Sequence, residues 1–284
     1  MARYRISDQG VSRLAIWARR IAIFALPAAL LAIIIVRSGM LEIVYALATF
    51  GGALVLAVVA MILALAAFAV IWKDGVGGAG AAFTAMAIGI VLLAYPAYLA
   101  YKAYKLPEIS DITTDPIDPP RFEAIARLRT RDTNPVNYAG LYAAEQQRVA
   151  YPDVEALEVS SNAQQTYDAA LAIITKRKWL VVDARPPQAN RRDGRIEAVA
   201  YTPIMGFRDD IVVRVRTTRD GARLDVRSAS RYGRHDFGTN ASRVVSLTSD
   251  IDDLLDAQNV EKRPKPVQKA KAGQAQSKAQ PAKR

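Results

Sequence analysis

The first third of the chain alternates between long apolar blocks and short polar connections, and this pattern predicts helices that cross a membrane. Three blocks contain no charged side chain, at residues 21–36, 43–72 and 79–101. A spanning helix needs about 20 apolar residues, so the second and third blocks are long enough as they stand. The first block becomes long enough if residues 14–18 extend it, with Arg19 and Arg20 reaching toward the head groups. The pattern therefore predicts a three-helix membrane domain at residues 21–104.

The remaining two thirds of the chain carry shorter patterns. Residues 105–121 hold four prolines and four acidic side chains, which predicts an extended spacer. Residues 122–256 then predict one soluble domain. Helical spacing predicts helices at residues 122–130, 138–149, 161–178 and 240–256, and alternating or continuous apolar runs predict strands at 179–184, 196–201, 211–218 and 224–230.

Four consecutive strands with helices before and after them indicate an α+β fold, in which an antiparallel four-stranded sheet packs against its flanking helices. One face of the sheet should pack on the helices through five apolar side chains, namely Ile211, Val213, Val215, Leu224 and Val226. The dipeptide at residues 220–221, Asp-Gly, is typical of a two-residue hairpin loop. Such a loop would place Arg216 opposite Asp225 and Arg214 opposite Arg227. The second pair brings two like charges together, so it requires a negative partner, either Glu197 or a bound anion.

Lysine and arginine counts in the short connections predict the orientation in the membrane. Six basic residues lie on the side of the N-terminus and three on the other side. The basic segment at residues 1–20 is therefore predicted to be cytoplasmic. Three spans would then export the soluble domain, which predicts a multi-pass inner-membrane protein with a periplasmic domain. The absence of cysteine is compatible with that compartment.

The net charge of +11 lies at the two ends of the chain. Residues 1–20 contribute +4 and residues 257–284 contribute +7, so the rest is neutral, with 25 basic and 25 acidic side chains. This distribution argues against nucleic acid as a partner, because a folded nucleic-acid-binding domain usually has a basic excess of its own. Residues 257–284 are rich in Lys, Ala, Gln and Pro, which predicts a disordered tail that is either attracted to lipid head groups or simply solvated.

The stretch VRSASRYGRHDFGTNASR, between the last strand and the last helix, holds the candidate functional residues. The only histidine, His235, precedes Asp236, and the two are candidates for a catalytic base and its acid. An anion site is the alternative, because the free amides and dipole of a helix N-terminus attract negative charge. Its candidate residues are the arginines and the capping residues around that end, namely Arg214, Arg227, Arg231, Arg234, Thr239, Asn240 and Arg243. A third interpretation is a capped helix whose arginines pair with Asp225 and Asp236. No ligand-spaced cluster predicts a metal site, and no motif predicts a cofactor.

Three separated segments resemble a known family. ISDITTDPIDPPRF, QQRVAYPDV and VRSASRYGRHDFGTNASR are similar to characteristic segments of domain-of-unknown-function family 1499, and the resemblance covers about residues 109–255. It implies a domain that often follows membrane spans and has no established chemistry. Members of this family commonly carry a small polar residue where this chain has His235.

These observations predict a membrane-anchored domain of the cell envelope. Its role would be non-enzymatic, and its partners would be membrane lipids, another envelope protein or an anionic ligand. The alternative is a hydrolase that acts on a phosphorylated or acylated envelope substrate. The hydrolase would require His235, whereas the binding role would require the arginines.

Overall fold

The structure, a computed structural model, describes residues 10–188 and 193–262, and its first half is a bundle of three helices. These are α1 (Arg13–Ser38), α2 (Ile43–Asp74) and α3 (Ala79–Lys105). They contain 26, 32 and 27 residues, and each is long and apolar enough to cross a membrane. The three predicted spans are confirmed.

The bundle packs through small side chains. Alanines make up nearly all buried positions of α1 and α2, namely Ala15, Ala18, Ala22, Ala25, Ala29, Ala32, Ala46, Ala53, Ala57, Ala60, Ala64 and Ala67. Small residues allow helix backbones to approach closely, which is how helices associate where no water is present to drive burial. In α3, Gly89 packs against Met61 of α2, and a side chain at this position would overlap it. The larger apolar side chains, such as Phe24, Ile62 and Phe83, point outward.

The second half of the described chain is an α+β domain. In chain order its elements are β1 (Asp111–Thr113), a short 3-10 helix (Ile125–Leu128), α4 (Leu141–Ala150), β2 (Leu157–Val159), α5 (Ala163–Lys176), β3 (Leu180–Arg185), β4 (Asp193–Tyr201), β5 (Arg208–Thr217), β6 (Ala222–Ser230) and α6 (Thr239–Lys262). The strands form one antiparallel sheet in the order β1-β6-β5-β4-β3, and β2 pairs with the other end of β6. The predicted fold class is therefore confirmed.

The sheet has six strands within the described residues, where the sequence predicts four. The two additional strands, β1 and β2, are three residues long, which is too short to show an alternating pattern. The predicted helical face is correct, because all five of its apolar side chains are buried with α5 and α6 in the main hydrophobic core.

Several predicted boundaries differ from the structure. The helix predicted at residues 122–130 is a single 3-10 turn, and α5 is capped by Asn162, whose side chain accepts from the Gln165 amide. Residues 111–113 of the predicted spacer form β1. Helix α6 continues to Lys262, beyond residue 257, where the sequence suggested that the tail begins. The rest of the predicted tail, residues 263–284, lies outside the described residues.

The predicted register of the last hairpin is wrong by two residues. Arg214 lies opposite Asp225, and Arg216 lies opposite Arg223. The connection is a four-residue loop, at residues 218–221, instead of a two-residue turn. A long-range contact explains the difference: Gly221 has a φ of +154° and packs so closely on the backbone of Val159 that no side chain would fit. Strand β2 thus determines where the hairpin closes.

The face of the sheet opposite the helices is covered by the segment that precedes α4. Phe122 and Ile125 of this segment pack on Val199, Val212 and Ala229 in a second, smaller core. The rest of this face is charged. The predicted partner Glu197 does not lie against the arginines of the hairpin, because its carboxylate accepts hydrogen bonds from three amides at the start of the 3-10 helix.

Candidate functional site

The turn between β6 and α6 lies against the segment that leaves the membrane. The Asp236 amide donates to the carbonyl of Ile109, and the ring of His235 reaches the carbonyl of Leu106. Gly238 packs on Leu106 as well, at a φ of +76°. The turn therefore attaches the soluble domain to the end of α3.

Both ring nitrogens of His235 are engaged. Nδ1 accepts from the Phe237 amide at 2.9 Å, so the hydrogen of a neutral ring must be on Nε2, which lies 3.2 Å from the Leu106 carbonyl. The ring also stacks on Phe237, with 4.7 Å between centroids. Neither nitrogen of His235 contacts Asp236. This arrangement joins two segments and presents no free base.

Asp236 caps α6. Its Oδ1 accepts from the Gly238 amide at 3.0 Å and its Oδ2 from the Asn240 amide at 2.8 Å. Burial raises the pKa of Asp236, although these two hydrogen bonds favour the ionised form and oppose the rise. The sequence suggested Thr239 or Asn240 as the cap. The structure corrects this, because the carboxylate of Asp236 already occupies the amides that a bound anion would use.

Asn240 is fully buried and belongs to a network of side chains below the turn. Its Nδ2 donates to the Ser110 carbonyl and to Ser230 Oγ. Its Oδ1 accepts from Ser228 Oγ at 2.8 Å and from Arg243. The two serines closest to the turn are thus held by Asn240, and neither is placed beside His235 as a nucleophile would be.

The sheet separates the predicted arginines instead of bringing them together. Arg243 binds Asp209 at 2.6 Å on the helical side of β5. Arg231 binds Asp210 at 2.7 Å, and Asp210 faces the opposite side because successive strand residues alternate. Arg234 is exposed and lies 3.2 Å from Glu108.

Arg227 lies on the covered face of the sheet. It makes a two-fold contact with Asp111, with Nε–Oδ1 and Nη2–Oδ2 distances of 2.9 and 2.6 Å. Its guanidinium lies between the rings of Phe122 and Tyr138, 4.7 and 5.6 Å from their centroids. A cleft of about 340 Å³ opens beside it, but Arg227 is 2% exposed and Arg231 does not line that cleft. Burial raises the pKa of the Tyr138 hydroxyl in the same cleft to about 12.

Arg214 lies in a cluster of opposite charges on the same face. Its guanidinium donates to Asp115, Asp118 and Asp225 at distances of 2.9 to 3.3 Å. Arg216 joins the same carboxylates, and it lies 2.7 Å from Asp225. Arg214 and Asp225 are buried in this cluster, whereas Asp118 is exposed. The cluster attaches the acidic segment to the sheet, and its arginines and aspartates neutralise one another.

A different part of the molecule presents charged side chains that make no ion pair with any other described residue. A cleft of about 580 Å³ opens where the soluble domain meets the loop between α1 and α2, and we call it the membrane-proximal cleft. Apolar side chains form much of its wall, including Val36, Met40, Leu41, Val44 and Phe207. Four charged residues also line it, namely Arg37, Glu42, Asp132 and Arg208.

Arg37 connects the two walls of this cleft. Its Nη1 donates to the carbonyls of Pro203 and Ile204, at 2.8 and 3.0 Å, in the loop between β4 and β5. Its side chain lies across Gly206, where a Cβ would be 3.2 Å from Arg37 Cγ at a φ of +69°. Sequence reasoning missed this cleft, since its residues come from four separate segments. The one local signal was Arg37, which is basic at the end of an apolar helix.

The geometry defines a class of protein, an α+β domain attached to three apolar helices that indicate a membrane anchor. A family model described as "Protein of unknown function (DUF1499)" matches residues 111–251. The soluble domain belongs to this family, as the sequence segments suggested. Comparisons with curated proteins and with solved structures found no match.

Proposed function

We propose that this protein is a membrane-anchored domain of the cell envelope that binds a membrane lipid in the membrane-proximal cleft. The observation that supports this most directly is the position of the cleft. Its apolar wall begins at Val36 and Val44, at the ends of two spans, where the hydrocarbon gives way to the head groups. The wall that belongs to the soluble domain carries Asp132 and Arg208 beside Phe207. An amphiphile from the adjacent leaflet matches both walls.

The helix end at α6 is a weaker candidate for a ligand. A second anion at this end would have to displace the Asp236 carboxylate from the Gly238 and Asn240 amides. It would also compete with Asp209 for Arg243 and with Asp210 for Arg231. The free energy of binding an anion is therefore less favourable here than at cations that form no ion pair.

The proposal places the domain in the periplasm, following the six-to-three bias of basic residues. The contact between Arg37 and the β4–β5 loop supports one element of this topology, because it requires the α1–α2 loop and the soluble domain to be on the same side of the membrane. Three spans and a domain that follows the third satisfy this requirement.

The proposed function is tested with the full chain in lipid nanodiscs. After transfer to mild detergent, native mass spectrometry measures the lipid that stays bound. We expect Arg208→Ala to reduce retention roughly fivefold, the size of one partly exposed charge contact. Arg219→Ala is the matched control, because Arg219 is exposed in the hairpin at the opposite end of β5. Equal lipid retention by the wild-type chain, Arg208→Ala and Arg219→Ala would contradict lipid binding in the cleft.

A further inference from the structure

We infer that the lipid bound in the membrane-proximal cleft has a zwitterionic head group, with a phosphate beside a primary amine. This inference rests on the proposed function and names the class of its ligand. The four charged residues of the cleft are two arginines and two carboxylates, so their charges sum to zero. None of them makes an ion pair with another described residue, which contrasts with the paired arginines elsewhere in the domain.

The two arginines provide the phosphate half of the site. Arg208 is the first residue of β5, its side chain is exposed, and its carbonyl is fixed by the Arg231 amide at 3.1 Å. Arg37 uses Nη1 for the Pro203 and Ile204 carbonyls, which leaves Nε and Nη2 with no partner among the described residues. Guanidinium groups bind phosphate through such paired N–H donors.

The two carboxylates provide the amine half. Glu42 precedes α2, but its side chain does not cap that helix, and Asp132 is exposed in the loop that precedes α4. A purely anionic lipid would bring its negative charge toward both carboxylates without compensation. An ammonium group removes this repulsion and donates three hydrogen bonds, whereas a quaternary ammonium has no N–H to donate. The charge pattern therefore favours a primary amine.

The shape of the cleft restricts where the phosphate half can lie. Because Gly206 has no side chain, Arg37 can cross the β4–β5 loop at this residue, where a Cβ would lie only 3.2 Å from Arg37 Cγ. This crossing and the two hydrogen bonds of Nη1 hold the guanidinium against the β4–β5 loop. The phosphate then lies beside this loop, and the acyl chains extend toward Val36 and Val44.

The test compares three lipids in the full chain. Nanodiscs with equal amounts of phosphatidylethanolamine, phosphatidylglycerol and phosphatidylcholine are prepared, and native mass spectrometry measures which lipid is retained. We expect phosphatidylethanolamine to be retained about fivefold over each of the other two. The double variant Glu42→Gln, Asp132→Asn should lower the retention of phosphatidylethanolamine to the level of the other two lipids. Asp220→Asn, in the exposed β5–β6 hairpin, is the control and should keep the preference.

The outcomes separate this inference from the function on which it rests. Equal retention of the three lipids by the wild-type chain, with the Arg208→Ala loss intact, would overturn the primary amine and leave lipid binding standing. If the wild-type chain retained no more lipid than Arg208→Ala, both the primary amine and lipid binding in the cleft would be overturned. Soluble glycerophosphoethanolamine at millimolar concentration should not displace the retained lipid. Displacement would show that the free head group is the ligand and would overturn the proposal that the ligand is a membrane lipid.

Discussion

At the scale of single residues, Asp210 holds two buried arginines on one carboxylate. Arg129 lies 2.7 Å from its Oδ2 and Arg231 lies 2.7 Å from its Oδ1, and all three side chains are at most 7% exposed. Removing the charge leaves two buried cations without a partner, so Asp210→Asn should lower the free energy of unfolding by about 3–5 kcal/mol. Denaturant unfolding of the full chain in detergent measures this. Asp220→Asn should change it by less than about 0.5 kcal/mol, and a similar loss in both variants would contradict the role of Asp210.

Two other carboxyls predict how stability changes with pH. Burial opposes ionisation of Asp115, but hydrogen bonds from the Asp118 amide and Arg216 outweigh it and hold the pKa of Asp115 below 3.8. A hydrogen bond from Arg185 does the same for Glu123, whose ordinary pKa is 4.5. A carboxyl with a lowered pKa in the folded state stabilises the fold above its ordinary pKa and loses that contribution as the pH falls through the lowered value.

The melting temperature should therefore fall as the pH drops below about 4.5. The double variant Asp115→Asn, Glu123→Gln should start from a lower melting temperature at pH 7 and show a shallower decline toward pH 3. Thermal unfolding of the full chain across this range measures both slopes. Parallel curves would show that other groups determine the acid sensitivity.

At the scale of elements, the membrane helices depend on the position of one glycine. Gly89→Leu would push α3 away from Met61 of α2, which should destabilise the bundle by about 1–3 kcal/mol. A Cβ added at Gly80, in the same helix, would have no atom of another helix within 4 Å, so Gly80→Leu is the matched control. Thermal unfolding in detergent, followed by circular dichroism, measures the difference. Equal melting temperatures would mean that α3 does not depend on this contact.

Elements were predictable from the sequence where their signal is local. The spans and the inner face of β5 and β6 follow from periodicity within one segment, and both are confirmed. The register of the hairpin was not predictable, because Gly221 closes it against Val159, about 60 residues away in the sequence. Strand pairing over such distances leaves no pattern inside either segment.

The contacts of the candidate site were likewise not predictable, because they join segments that are distant in the sequence. Sequence reasoning identified the arginines, and it did not identify their partners, since Arg227 binds Asp111 and Arg231 binds Asp210 from distant segments. Ligand binding by the predicted site residues stays a prediction. The membrane-proximal cleft was missed, because it exists only after Arg37 has met the β4–β5 loop.

At the scale of the whole molecule, two side chains of the described residues, Arg37 and His235, connect the soluble domain to the membrane helices. Arg37 donates to the Pro203 and Ile204 carbonyls, and His235 lies near the Leu106 carbonyl at the end of α3. His235→Ser should lose the hydrogen bond to the Leu106 carbonyl and the one from the Phe237 amide. The free energy of unfolding should fall by about 1–3 kcal/mol, as measured by denaturant unfolding, while lipid retention stays unchanged. A loss of retention in His235→Ser would instead tie the turn to ligand binding.

The orientation of the whole molecule is the remaining prediction. With the N-terminus in the cytoplasm and three spans, everything that follows α3 should be in the periplasm. A fusion made after Lys262, the last described residue of α6, leaves the domain whole. Alkaline phosphatase fused there should be active, because it folds only after export, and green fluorescent protein fused at the same point should be dark. The same pair fused after Asp74, between α2 and α3, should give the opposite readout. A bright fluorescent fusion after Lys262 would place the membrane-proximal cleft at the cytoplasmic leaflet, where the same lipid test still applies but the envelope role does not.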